Sequence, residues 1–292
     1  MGGIRDKEQH MLSLSTTAQT TRRTAPELQN GADRAGGTVH AHRVMRVIQA
    51  ATLLPGSDHG PSELAAATGL HVTVVYRILQ SGIESSIFQR VPPGRYRLGP
   101  GAAQIGMQAM ATTLDATATE PVLERLTQIT DGFALLWVLS PYGGPRKAYI
   151  ASNPGPYGFE SLGLGVADLI EVLHSLRAGA SGRAITAHLP PVLLSSVLEQ
   201  PQPAGVRAVD DPAFTESLAE VRERGYTVTR EEIPGWSEVA APVMWGDTVY
   251  GAVSVLKPSP LMDEDLVLPV IATTGAAERL TLLASRGDVW TR

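Results

Sequence analysis

Residues 60–81, GPSELAAATGLHVTVVYRILQS, constrain this chain more than any other stretch, because a single glycine joins two short helices there. Gly60 suits an N-cap, and Pro61 carries the fixed φ of a first helical position. Glu63 stands in the first turn, where the helix dipole favours a carboxylate. Gly69 ends that helix as a residue free to take positive φ, and a second helix begins at once. In the second helix Val72, Val75 and Leu79 recur at i, i+3 and i+7, while Thr73, Tyr76, Arg77 and Gln80 share another face. Two short helices across a tight glycine-containing turn form a helix-turn-helix, with the polar face turned outward.

The flanks extend this reading. HAHRVMRVIQAATLL, residues 40–54, places Val44, Val47, Ile48, Ala51 and Leu54 at helical spacing, and PGSDHG after it is loop by composition. IFQRVPPGRYRLG, residues 87–99, holds two short strands, Ile87-Phe88 and Tyr96-Arg97-Leu98, with Pro93-Gly94 at the centre of a type II turn. Alternation sets Arg95 and Arg97 on one side of this ribbon and Tyr96 and Leu98 on the other. A basic hairpin after a helix-turn-helix is the wing of a winged-helix domain, and the guanidinium groups of Arg90, Arg95 and Arg97 suit phosphates. Arg77 suits a guanine edge or a phosphate, and Thr73 and Tyr76 suit phosphates and thymine methyls. Ser62, at the start of the first helix, is placed to meet a phosphate beside free backbone N–H groups.

The net charge of −5 is unevenly divided. Residues 1–100 hold eleven Lys and Arg against seven Asp and Glu, whereas the remainder holds thirteen against twenty-two. A basic front and an acidic back imply different partners for the two halves. A chain of 292 residues, 43% hydrophobic, suits two domains. The absence of cysteine excludes disulfides, thiolate catalysis and cysteine-based zinc sites, and fits a reducing compartment. No run approaches the roughly 18 apolar residues of a membrane span. The first residues also lack the charged-then-apolar order of a secretory signal, so a cytoplasmic protein is expected.

Along the chain, residues 1–38 read as a flexible tail, 39–99 as the winged helix-turn-helix domain, 100–118 as a linker helix, 119–285 as a second domain and 286–292 as a closing tail. The linker carries Ile105 and Ala109 on one face. In the second domain, TEPVLERLTQIT, PPVLLSSVLEQ and PAFTESLAEVRERG read as helices, with a closing helix from near Asp263. GFALLWVLS, RKAYIAS, YTVTREE, SEVAAPVMW and TVYGAVSVLKP read as strands. Such mixing makes the fold class α+β.

Taken together, ELAAATGLHVTVVYRIL, RYRLG, LRAGASGRAI, VRERGYTVTREE, and GWSEVAAPV followed by GAVSVLKPS resemble, in that order, motifs of the IclR family of bacterial transcriptional regulators. The resemblance runs over roughly residues 40–285. It implies a winged-helix reader of double-stranded DNA joined to a GAF-like effector-binding domain. It also implies a homodimer or homotetramer on a pseudo-palindromic operator, and control of transcription by a small organic effector. By the same resemblance the effector meets Gly179 and Ala180 at a helix entrance, Thr229, Glu238, Ser254 and Leu256 on strands, and Trp137 as a wall. Relatives that take small acids often carry hydroxyls at the positions of Ser254 and Leu256 and a small residue at that of Glu238. Leucine and glutamate here imply a larger, partly apolar ligand, with a donor for Glu238. Three further departures are Val72 where a basic or polar residue is usual, Gly82 in place of a core leucine, and Ser86 in place of a turn glycine.

Other constellations carry less. Glu231 and Glu232 are adjacent on a strand and so point to opposite faces, against a catalytic pair. His40 and His42 lack a third metal ligand. MDED, residues 262–265, reads as acids at a helix start, not a calcium loop. Gly163 and Gly165 lack the strand-turn-helix context of a dinucleotide site, and no serine stands in a Gly-x-Ser-x-Gly elbow. No cofactor, metal or catalytic residue is expected. The alternatives to a regulator are a DNA-silent protein-interaction module and a small-molecule enzyme using the second domain's pocket.

Overall fold

The computed structural model describes residues 38–111, 113–140 and 143–285. Of the tails expected at 1–38 and 286–292, residues 1–37 and 286–292 lie outside the described residues, and Thr38 is the first residue of α1. The first part of the chain forms α1 (Thr38–Leu53), α2 (Pro61–Thr68), α3 (Val72–Glu84), β1 (Phe88–Val91) and β2 (Arg95–Leu98). Gly69 takes φ 65 between α2 and α3, and the His71 ring caps α3 by accepting the Thr73 N–H at 3.3 Å. Val47, Ala50, Leu64, Val75, Ile78, Leu79, Phe88 and Tyr96 form one buried cluster.

Val72 does not join that core. It is 40% exposed, and the inward face of α3 runs through Val75, Ile78 and Leu79 instead. As the first residue of α3, Val72 precedes the turn that lies on α1 and α2. The ribbon pairs Phe88 with Leu98 and Val91 with Arg95, and Gly94 turns it at φ 71. His59 adds a third short rung, exchanging backbone hydrogen bonds with Tyr96 at 2.8 and 2.9 Å.

The missing bulk at Gly82 comes from the strand. A Cβ there would stand 2.5 Å from Cδ2 of Phe88, whose ring fills the space a helix side chain would otherwise take. Ser86 takes φ 59, the left-handed conformation that favours glycine.

The helix expected over 100–118 is interrupted. α4 (Pro100–Ala111) stops early, and Asp115 caps a new helix, α5 (Ala116–Thr130), by accepting the Ala118 N–H at 2.7 Å. α4 buries none of its residues, and Ile105 is 62% exposed.

The rest follows as β3 (Phe133–Ser140), β4 (Arg146–Asn153), a 3-10 turn (Phe159–Leu162), α6 (Val166–His174), α7 (Gly179–Thr186), α8 (Pro191–Leu198), α9 (Asp211–Arg224), β5 (Thr227–Ile233), β6 (Trp236–Trp245), β7 (Thr248–Pro258), α10 (Ser259–Glu264) and α11 (Val267–Ser285). The closing helix therefore starts after Asp265, whose carboxylate accepts the Leu268 N–H at 3.2 Å.

The five strands form one antiparallel sheet in the order β4-β3-β7-β6-β5. Period-2 alternation sends Ala134, Leu136, Val253 and Val255 to one face, where Leu123, Leu126 and Leu280 of α5 and α11 cover them. Phe133, Leu135, Trp137, Ala252 and Leu256 go to the other face, against Ala180, Ala184 and Ile185 of α7. α11 is by composition apolar and long enough to cross a membrane, contrary to the expectation that no segment comes close. Here its Ala276, Ala277 and Leu280 are buried against the sheet.

Candidate functional site

Two sets of residues carry chemistry, the outer face of the winged helix and the inner face of the five-stranded sheet.

On the first, α3 presents Thr73, Tyr76 and Arg77 to solvent, with Tyr76 48% exposed and Arg77 free of any partner among the described residues. Gln80 leaves this group. It is half-buried, and its amide donates to the Tyr96 hydroxyl at 3.0 Å, tying α3 to β2. Ser62 is exposed in the first turn of α2, and Arg90 is exposed on β1.

The two arginines of β2 differ. Arg97 is exposed and leans on a neutral partner, the Gln89 side-chain oxygen, at 3.1 and 3.3 Å. Arg95 bonds the Asp58 side chain, the Asp58 carbonyl at 2.7 Å and both Glu63 oxygens at 3.1 Å. The Gly60 N–H at 2.9 Å, and then Arg95, hold the Glu63 carboxyl below its usual range. The Asp58 and Glu63 hydrogen bonds raise Arg95 in turn. Its charge is compensated within the domain, and these contacts tie β2 to α2 and to the loop before it.

On the inner sheet face, strand register brings the expected effector residues together. Thr229 pairs with Glu238, Glu238 with Leu256, and Leu135 with Ser254. The Trp137 indole N–H donates to Ser254 Oγ at 2.8 Å. Gly179 opens α7 at φ 75, and any Cβ there would collide with Oε2 of Glu238. Glu238 is 7% exposed, and its Oε1 has no hydrogen-bond partner among the described residues.

Three buried charges, Lys147, Arg183 and Glu232, none of them assigned to this site from the sequence, complete this face. Lys147 on β4 donates from Nζ to the Ala178 carbonyl and to Ser181 Oγ, both at 2.8 Å, and lies over the Trp137 ring at 4.6 Å. Burial lowers its pKa from 10.5 to about 8, against the opposing pull of Glu238 and Glu232. Glu232 accepts the Gly179 N–H at 2.8 Å and pairs with Arg183 at 2.5 Å.

Strict alternation would seat Glu231 on the same side as Thr229. An irregularity between Arg230 and Ile233, with Glu231 at φ 54, turns Glu231 outward and Glu232 inward. The two glutamates do point apart, and the buried one is no longer available as a solvated surface group. No signal in the strand RKAYIAS marks Lys147, since an isolated lysine there reads as solvent-facing. Arg183 was visible only as part of the LRAGASGRAI motif.

A winged helix-turn-helix followed by a helix-covered antiparallel sheet with a charged inner face defines a two-part transcriptional regulator. Residues 172–274 match the family described as bacterial transcriptional regulator IclR C-terminal. The HTH-type transcriptional regulator BhcR of Paracoccus denitrificans (strain Pd 1222) is 25% identical over 283 residues, covering 90% of this chain and 93% of that protein. A solved structure of a putative IclR transcriptional regulator from Silicibacter sp. TM1040 has the same fold, with a TM-score of 0.50 and 23% identity over 83% of this chain and 96% of that one. An IclR homolog of Microbacterium hydrocarbonoxydans, complexed with 4-hydroxybenzoate, aligns at a TM-score of 0.49 and 21% identity, covering 85% of this chain and all of that one. Over most of its length the chain is thus similar to an IclR-type regulator, and its residues 172–274 match the C-terminal domain of that family.

Proposed function

We propose that this regulator reads a pseudo-palindromic DNA operator with α3 in the major groove and the wing beside it, under control of a small organic effector on the inner sheet face. The observation that carries the reading is Arg77, exposed beside Thr73 and Tyr76 on the outer face of a winged helix and unpartnered among the described residues. The residues offered to DNA are Ser62, Thr73, Tyr76, Arg77, Arg90 and Arg97, a set reduced by Gln80 and Arg95, which act inside the domain.

Two such helices on one operator require a homodimer or homotetramer, with half-sites about one helical turn or a multiple apart. The exposed Ile105 of α4 supports a partner copy. The effector residues in this reading are Trp137, Gly179, Ala180, Thr229, Glu238, Ser254 and Leu256, and the contacts of Lys147 with Ala178, Ser181 and Trp137 support adding it. An effector acts by favouring one arrangement of the readers, since equal affinity for both would shift nothing. The domain limits 39–99 and 119–285 and a cytoplasmic location belong to the same reading.

Capture of genomic fragments by the purified full-length protein is the test. A palindromic consensus is expected, lost in Arg77→Ala while oligomerisation is kept. No enrichment above bulk DNA by a folded oligomer would instead favour a DNA-silent interaction module.

A further inference from the structure

The inner sheet face holds two buried cations and two buried anions, Lys147 and Arg183 against Glu232 and Glu238. Arg183 and Glu232 pair directly, and Lys147 lies within the electrostatic reach of Glu238. The face is therefore charge-balanced before anything binds. The seat where an acid would ordinarily lodge is also taken, because the Gly179 N–H at the start of α7 already donates to the Glu232 carboxylate. Over the same glycine hangs Glu238, whose Oε2 leaves no room for a side chain and whose Oε1 has no donor among the described residues. A buried acceptor without a partner is costly, and a ligand that donates to it removes the cost. A buried anion added to a balanced site brings an uncompensated charge, which a neutral ligand does not.

From these contacts we infer that the effector of this protein is a neutral molecule carrying an N–H or O–H donor, that Glu238 Oε1 receives it, and that simple carboxylates are excluded. The inference rests on the inner sheet face being the effector site. Its apolar part meets Trp137 and Leu256, which are buried on the same face. Ser254 strengthens the polar edge, since its hydroxyl accepts the Trp137 indole N–H and keeps its own proton to donate. Lys147 acts as a positioning residue: its two hydrogen bonds to Ala178 and Ser181 fix the entrance of α7, and its charge faces the side chain that the ligand meets.

The test uses acid–amide pairs of nearly equal shape with the full-length protein: glycolate and glycolamide, benzoate and benzamide, phenylacetate and phenylacetamide. Affinities come from calorimetry at fixed ionic strength, and folding of each variant is checked by its melting curve. In the wild type the amide of the best-fitting pair is expected to bind at least about tenfold more tightly than its acid. Glu238→Gln, which removes one negative charge at constant shape, should close or reverse that ratio. If Glu238→Gln does not fold, Lys147→Met supplies the opposite change and should widen the ratio. A wild-type preference for the acid, or a ratio that neither substitution moves, overturns the inference and leaves the effector site standing. Binding of no member of any pair, to wild type or variant, overturns the effector reading of this face and the inference with it, while operator capture continues to report on the DNA half independently.

Discussion

Arg95 and Arg97 lie on the same side of one short strand, yet only Arg95 is paired with carboxylates, and salt dependence tests whether their tasks differ. Each phosphate neutralised on DNA contributes about 0.9 to the slope of log K against log salt. If Arg77, Arg90 and Arg97 of two subunits all meet phosphates, the slope is about −5; with Arg95 included it is about −7. The structure favours the smaller figure, because the Arg95 charge is matched by Asp58 and Glu63 whereas Arg97 touches only the neutral Gln89. Arg97→Ala should therefore reduce the slope by about 2 for a two-subunit complex and weaken binding evenly across sequences. Arg95→Ala should leave the slope unchanged and lower the melting temperature, since it frees the wing from α2.

The Glu63 carboxyl adds a check in acid. Its folded pKa lies below the ordinary 4.5, so its contribution is present above that pH and is lost as pH falls through the folded value. That acid-dependent loss should shrink in Arg95→Ala, leaving the part due to the Gly60 N–H. The assay is fluorescence titration of one captured operator between 50 and 200 mM salt, beside thermal melts from neutral pH into acid. An Arg95→Ala slope reduced as much as that of Arg97→Ala, with an unchanged melt, would refute the assignment.

Three further outcomes follow from the packing. Gly82→Ala gains about 1 kcal/mol of helix propensity but drives a methyl into the Phe88 ring, at about 1–3 kcal/mol, so denaturant melts should show net destabilisation that Phe88→Leu reverses. Arg183→Met leaves Glu232 buried without its cation and should cost about 3–5 kcal/mol; a loss below about 1 kcal/mol would mean that the pair is solvated. Lys147 has a folded pKa of about 8 against 10.5, so between those values the unfolded chain holds more protons and stability rises with pH. The rise is about 3 kcal/mol across the window, and urea melts of Lys147→Met should lack it. Parallel pH profiles for the two proteins would rule out a buried, depressed lysine.

The helix-turn-helix was legible because its signals are local. Gly69, the residues around Pro61, and the spacing of Val75 and Leu79 act within a turn or two of one another, at the range where capping, φ preference and helical period operate. The alternating strands of the second domain were legible for the same reason, and the motifs in them located the inner face. Interruption of the linker at Asp115 was missed because an alanine- and threonine-rich run permits either a continuous or a broken helix, and only the side-chain cap chooses.

Charge was the part that local pattern could not assign. Arg95 and Asp58 are 37 residues apart, Lys147 and Ser181 are 34 apart, and Glu232 reaches Gly179 across 53. Whether an arginine is spent on a carboxylate or left for a phosphate depends on which groups the fold carries to it. A single irregularity in β5 likewise decides which of two adjacent glutamates is buried. The order of elements and the character of each face are thus properties of the sequence read over a few residues. The unpaired charge on the outer face of α3 and the wing, and the balanced charge of the inner sheet face, exist only in three dimensions, because electrostatic partners are chosen by proximity in space.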